Sequence, residues 1–138
     1  MTASARWVPR LIIVTALLHF VWAFTQPHAW DAIARDGVFR SVVDTGADDY
    51  ALREFSIWWM VSGIALLAMG TLTRSIVRAT GRLPAQTGWY LVAVGVPLCV
   101  IYFPVTGGWP VLAIGLLALW GARHPTPRAG QEGDGRPH

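Results

Sequence analysis

Residues 54–73 read EFSIWWMVSGIALLAMGTLT, twenty positions in which the only charge is Glu54 at the first. Twenty residues at 1.5 Å each make a helix of about 30 Å, the thickness of a bilayer's hydrocarbon core. Trp58 and Trp59 lie near one end and Arg74 follows the other, which is the placement that membrane interfaces favour. Three further apolar blocks, 9–26, 86–104 and 108–122, repeat the pattern with shorter or interrupted runs. The expected fold is therefore all-α: a polytopic membrane protein with a bundle of four transmembrane helices.

Composition agrees. Over 138 residues the mean hydropathy is +0.43 and charged residues are 14%, far below the quarter usual for soluble domains. All eleven basic residues are arginine, and they flank apolar blocks instead of forming a stripe, which argues against nucleic acid as a partner. Arginine without lysine, with abundant Ala, Gly and Val, suits a GC-rich bacterial genome. Cys99 is the single cysteine, so no intramolecular disulfide is available and zinc or iron–sulfur ligand sets are lacking. No metal and no cofactor is called for by any motif.

The chain reads as a transmembrane domain over 1–122 and a disordered cytoplasmic tail over 123–138, rich in Gly, Pro and charge. Helix one is expected to start around Pro9, a residue tolerated in a first turn, and to stop at Pro27. The nearest small-x-small site, Ala32-Ile33-Ala34, lies too far beyond the run for ordinary signal cleavage, so the segment reads as a retained helix. The connection 28–53 opens with Trp30, Ile33 and Ala34 on one side and Asp31 and Arg35 on another, a short amphipathic interfacial helix ended by Gly37. Whether residues 37–53 form an ordered lid or a loose loop stays open.

Gly63 and Gly70 share a face of helix two, and Gly88 and Gly95 share one of helix three; small residues let backbones approach where hydrophobicity supplies no net drive. Arg74, Arg78 and Arg82 are read as part of a connection of about a dozen residues. Helix three runs from Leu83-Pro84 to about Tyr102, with a kink expected at Pro97. Residues 103–110 read as a tight turn, and helix four is short. With both termini cytoplasmic, the inner side holds eight arginines, and the outer side holds three amid six acidic residues. That bias places the protein in the inner (plasma) membrane under the positive-inside rule.

Candidate chemistry is sparse. His19 is the one ionisable side chain deep in an apolar block, on a polar stripe with Thr15, Trp22 and Gln26. One reading has neutral His19 hydrogen-bonding across the bundle, to Tyr90, Tyr102 or Thr106, as a packing device. The other makes it a proton-relay or ligand-binding group. Arg53 and Glu54, with Asp31, Arg35 and Asp36, either ring a polar vestibule or simply form a solvated interface. The candidate ligand or proton site is accordingly His19, Trp22, Arg53, Glu54 and Tyr102. No catalytic residue is assigned. The leading function is non-enzymatic: packing with a second copy or a membrane partner, or holding a lipid-like molecule between helices. The alternative is a membrane-embedded enzyme or small transporter using His19 in an outward-opening cavity.

Several segments carry a resemblance. Leu18-His19, Ala34-Arg35-Asp36-Gly37-Val38-Phe39, Phe55-Ser56-Ile57-Trp58-Trp59 with Gly63 and Gly70, Leu83-Pro84, Gly88-Trp89 and Pro104-Val105-Thr106-Gly107-Gly108-Trp109 occur in this order. Across residues 9–121 the chain resembles a family of small, uncharacterised bacterial four-helix integral membrane proteins, classed only as a domain of unknown function. Gly108 departs from the pattern by lengthening a Pro-x-Ser/Thr-Gly-aromatic turn by one residue. The resemblance implies a four-helix membrane fold and supplies no activity, substrate or catalytic residue.

Overall fold

A computed structural model describes residues 2–38, 42, 45–104 and 106–124. Among them are five helices: α1 (Ala3–Thr25), α2 (Trp30–Arg35), α3 (Tyr50–Thr80), α4 (Ala85–Ile101) and α5 (Gly108–Arg123). No strand occurs among the described residues. Most of the expected tail, residues 125–138, lies outside them, as do Phe39, Arg40, Ser41, Val43 and Asp44 in the connection after α2. The chain divides into two compact units: Pro9–Leu72, and Met1–Val8 with Thr73–His138.

Two helices are longer than their apolar blocks. α1 begins at Ala3, six residues before Pro9, because Thr2 supplies the N-cap: its Oγ1 accepts the Ala5 N–H at 3.2 Å. A capping hydroxyl satisfies a donor that the first turn would otherwise leave without a partner. α3 continues past Thr73 to Thr80, so Arg74 and Arg78 are helical and not part of a loose connection. Arginine is a good helix former, and nothing interrupts the helix before Gly81. That residue takes φ +70, and its N–H closes on the Val77 carbonyl at 2.8 Å, the left-handed ending that glycine supplies without a Cβ penalty. α4 runs through Pro97 and ends at Ile101, short of the expected Tyr102–Pro104, with the Phe103–Pro104 peptide cis.

In the unit Pro9–Leu72, α1 and α3 run antiparallel on a glycine seam. A Cβ at Gly70 would meet the Ile13 side chain at 2.8 Å and the Ile12 side chain at 3.1 Å. One at Gly63 would meet the Phe20 ring at 2.6 Å. Ile12 and Ala16 are fully buried on the same side of α1.

The other unit is built on the α4–α5 hairpin. Glycines of each helix face larger residues of the other: Gly88 against Leu119, Gly95 against Leu112, Gly115 against Leu91 and Val92, and Gly108 against Leu98 and Cys99. The pairs descend in order, so the helices are antiparallel in one register. Leu91, Val111, Ile114, Ala118 and Leu119 are buried along this seam. The start of α1 joins at Ser4, which lies against Gly121. The end of α3 joins through Thr73, whose hydroxyl pairs with that of Thr87 at 3.2 Å in buried surroundings.

Candidate functional site

The unit Pro9–Leu72 holds two polar groupings on α3, one turn and a half apart. The first is built on His19. Its Nε2 lies 3.0 Å from the Trp59 carbonyl, which only accepts, so this nitrogen carries the proton in that bond. Ser62 Oγ donates to the same carbonyl at 2.9 Å and sits 3.3 Å from Nε2. In return, Trp59 Nε1 donates to the His19 carbonyl at 3.4 Å. The imidazole stacks on the Trp59 indole, with centroids 5.1 Å apart and planes 15° apart, and Phe55 tilts onto the same indole at 4.8 Å.

Gly63 makes room for this arrangement, since a Cβ there would stand 3.0 Å from His19 Cδ2. A packing glycine and a polar lock thus occupy the same level of the α1–α3 seam. The chemistry of the set is mutual: each residue bonds the other's backbone, and no carboxylate belongs to it. In an apolar segment this satisfies a polar side chain whose desolvation would otherwise be costly.

The second grouping closes the connection onto the start of α3. Arg53 is 8% exposed and pairs with Asp36 at 2.6 Å and with Asp49 at 2.7 Å. One guanidinium thereby ties residues on both sides of the segment that follows α2. Ser56, 3% exposed, accepts the buried Ala29 N–H at 3.0 Å and donates to the Leu52 carbonyl at 2.7 Å. Ile33 is the buried residue of α2, at 5% exposed, and Gly37 and Val38 turn the chain with φ of 90 and 62. The described part of the connection is an ordered clasp.

Of the five residues singled out from sequence, His19, Trp22, Arg53 and Glu54 lie in the unit Pro9–Leu72 and Tyr102 lies in the other. His19 meets Trp59 and Ser62, where the tyrosines Tyr90 and Tyr102 and Thr106 had been expected as partners. Tyr90 receives Gln86 Nε2 instead. Trp22 is exposed, and Glu54 is half-buried with no ion pair among the described residues. Tyr102 belongs to the other unit, where it caps the end of α4 and is exposed. Sequence reasoning missed Ser56, the Thr73–Thr87 pair and the complementary glycines Gly108 and Gly115. The spacing of seven between those two glycines was the available signal.

Among the described residues, no set of three His, Cys, Asp or Glu side chains stands close enough to hold a metal ion. The unit with α4 and α5 carries an open groove of about 520 Å³ lined by Val96, Cys99, Val100, Phe103, Trp109 and Leu112, all apolar.

No curated protein and no solved structure matches the chain. One family model, described as a family of unknown function (DUF6463), matches residues 3–125. That match takes in all five helices, and the chain belongs to the DUF6463 family.

Proposed function

We propose that the protein is an integral membrane protein of a bacterial inner membrane, crossing it four times by α1, α3, α4 and α5 with both termini cytoplasmic. Its work is non-covalent: its helices pack with a second copy or another membrane protein, or hold a lipid-like molecule. The observation that carries this is the pairing of length and exposure in α1 and α3. Both are long and apolar enough to span, yet only 28% and 17% of their most apolar stretches are buried. The core helix of a soluble protein would be mostly buried, because exposed apolar area costs about 25 cal/mol per Å² in water. Leu17, Leu18, Val21, Ile64 and Leu72 all stand more than half exposed, which lipid tails tolerate and water does not.

α4 and α5, at 17 and 16 residues, are about 25 Å long and cross with local thinning of the bilayer. The non-covalent reading rests on how the polar residues are engaged. His19 is bonded to backbone and stacked, and Arg53 is committed to two carboxylates.

Three experiments test this. In a membrane fractionation, the protein is expected to stay in the pellet through a sodium carbonate wash; release into the supernatant removes the proposal. A C-terminal alkaline phosphatase fusion is expected to be inactive and a C-terminal fluorescent protein fusion bright; the reverse overturns the topology. His19→Gln, which keeps a hydrogen-bond donor and loses titration, is expected to leave the cellular role intact. A protein that folds normally and loses its role would instead favour proton chemistry.

A further inference from the structure

The arginines of this chain are unevenly divided between its two compact units. The unit Pro9–Leu72 has four arginines against six acidic residues, and the other unit has seven against two. Those two acids, Glu132 and Asp134, sit in the tail with Arg128 and Arg136 and balance them. The described part of that unit therefore holds Arg6, Arg74, Arg78, Arg82 and Arg123 with no carboxylate. All five are exposed, and none forms an ion pair or side-chain hydrogen bond among the described residues.

Packing brings these five to one end. Ser4 and Leu83 both lie against Gly121, so Arg6, Arg82 and Arg123 each stand within two residues of one contact. The Thr73–Thr87 hydrogen bond places Arg74 beside the first turn of α4, and Arg78 lies one turn beyond Arg74 on α3. Arg78 and Arg123 also sit in last turns, where a cation suits the helix dipole. Arg6, Arg74 and Arg82 have no such role. Five like charges at one end repel each other unless an anion joins them. Arginine, unlike lysine, offers the planar fork that meets phosphate oxygens in pairs.

We infer that this end of the unit is a binding surface for the phosphate of anionic phospholipid headgroups on the cytoplasmic side, with Arg74, Arg78 and Arg82 as its centre. The inference rests on the membrane placement proposed above, which supplies a lipid source at the level of the arginines. Each arginine near an anionic surface is worth roughly a fivefold change in binding.

The test uses the full-length protein purified in a neutral detergent from carbonate-washed membranes, a step whose failure reports on the membrane placement alone. Phosphatidylglycerol and phosphatidylcholine with identical brominated chains are titrated in, and tryptophan quenching is followed. Preference for phosphatidylglycerol is expected, weakening as salt is raised. Arg74→Gln/Arg78→Gln/Arg82→Gln is expected to lower its affinity on the order of a hundredfold, and the corresponding lysine triple variant, which keeps charge and helix propensity but loses the planar fork, to regain only part of it. A circular dichroism spectrum confirms that both variants fold. Equal binding of the two lipids, or an unchanged glutamine variant, overturns the inference. Displacement of the lipid by equimolar inorganic phosphate assigns the surface to free anions, and displacement by a short DNA duplex to nucleic acid; either also overturns it.

Discussion

Gly95→Ala puts the architecture of the α4–α5 hairpin to a quantitative test. A Cβ at position 95 would lie 2.8 Å from both the Cα and the N of Leu112 and 2.9 Å from its Cβ. Those atoms are main chain or attached directly to it, so no rotamer change makes space. Relief requires the two helices to separate by about 0.7 Å to reach ordinary carbon contact distance. A gap of that size forfeits a quarter to a half of each contact's well of 0.1–0.2 kcal/mol; at the middle of both ranges, over about fifty atom pairs, the loss is about 3 kcal/mol. This agrees with the range for overpacked cores. Against it stands the higher helix propensity of alanine, about 1 kcal/mol.

The net expectation is a destabilisation of about 2 kcal/mol, or a drop in Tm of about 4–8 °C for a chain of this size. Gly63→Ala is the internal control. Its obstacles are side-chain ring atoms, Phe20 at 2.6 and 2.9 Å and His19 Cδ2 at 3.0 Å, which yield more readily than main chain, so its drop in Tm is expected to be smaller than that of Gly95→Ala. Thermal unfolding in detergent, followed by near-UV circular dichroism, measures both. A Gly95→Ala protein as stable as wild type or as Gly63→Ala would refute the claim that main-chain contact sets the helix separation.

Three other perturbations follow from the polar contacts. Ser56→Ala leaves the buried Ala29 N–H without its acceptor, which is expected to cost about 1–3 kcal/mol and to speed hydrogen exchange at Ala29; unchanged exchange there would remove Ser56 from the clasp. Thr73→Val and Thr87→Val each orphan a hydroxyl in buried surroundings, so the double variant is expected to be more stable than the two single losses added, with a coupling of about 0.6 kcal/mol. Arg53→Gln releases Asp36 and Asp49 and is expected to speed limited proteolysis at residues 45–49 while the helices keep their circular dichroism; a cleavage rate equal to wild type would show that other contacts hold these residues.

What the sequence made legible follows from which interactions are local. The apolar blocks and the α2 pattern at Trp30, Ile33 and Ala34 depend on neighbours within a few residues, and both appear as helices. Helix ends are less legible, because α1 and α3 extend beyond the apolar stretches that hydropathy marks. Arg74 and Arg78 are polar and helical at once, and the stop at Gly81 is a backbone event that a hydropathy scale does not weigh. At the other helix the start is a capping event, Thr2 Oγ1 accepting the Ala5 N–H, which hydropathy does not weigh either. His19 stood out in sequence as a polar group needing a partner. Its partner is the Trp59 carbonyl, a group present at every position, so only the register between α1 and α3 picks it out.

Register is the quantity the glycines determine. A face with glycines seven apart announces that something will come close, and it does not say what. On the α4–α5 seam the answer is complementary: where one helix carries glycine the other carries Leu or Val, in alternation from Gly88–Leu119 through Val92–Gly115 and Gly95–Leu112 to Cys99–Gly108. Shifting the helices by one turn would set glycine near glycine and Leu near Leu, leaving voids and clashes together. The same logic operates where Gly63 and Gly70 meet Phe20 and Ile13. Specificity on these two seams thus resides in small–large matching, and His19 bonds across the α1–α3 seam in the register that the glycines set. A search for function is better aimed at what these matched seams leave outward, the exposed apolar side chains and the arginine end, than at the polar contacts within them.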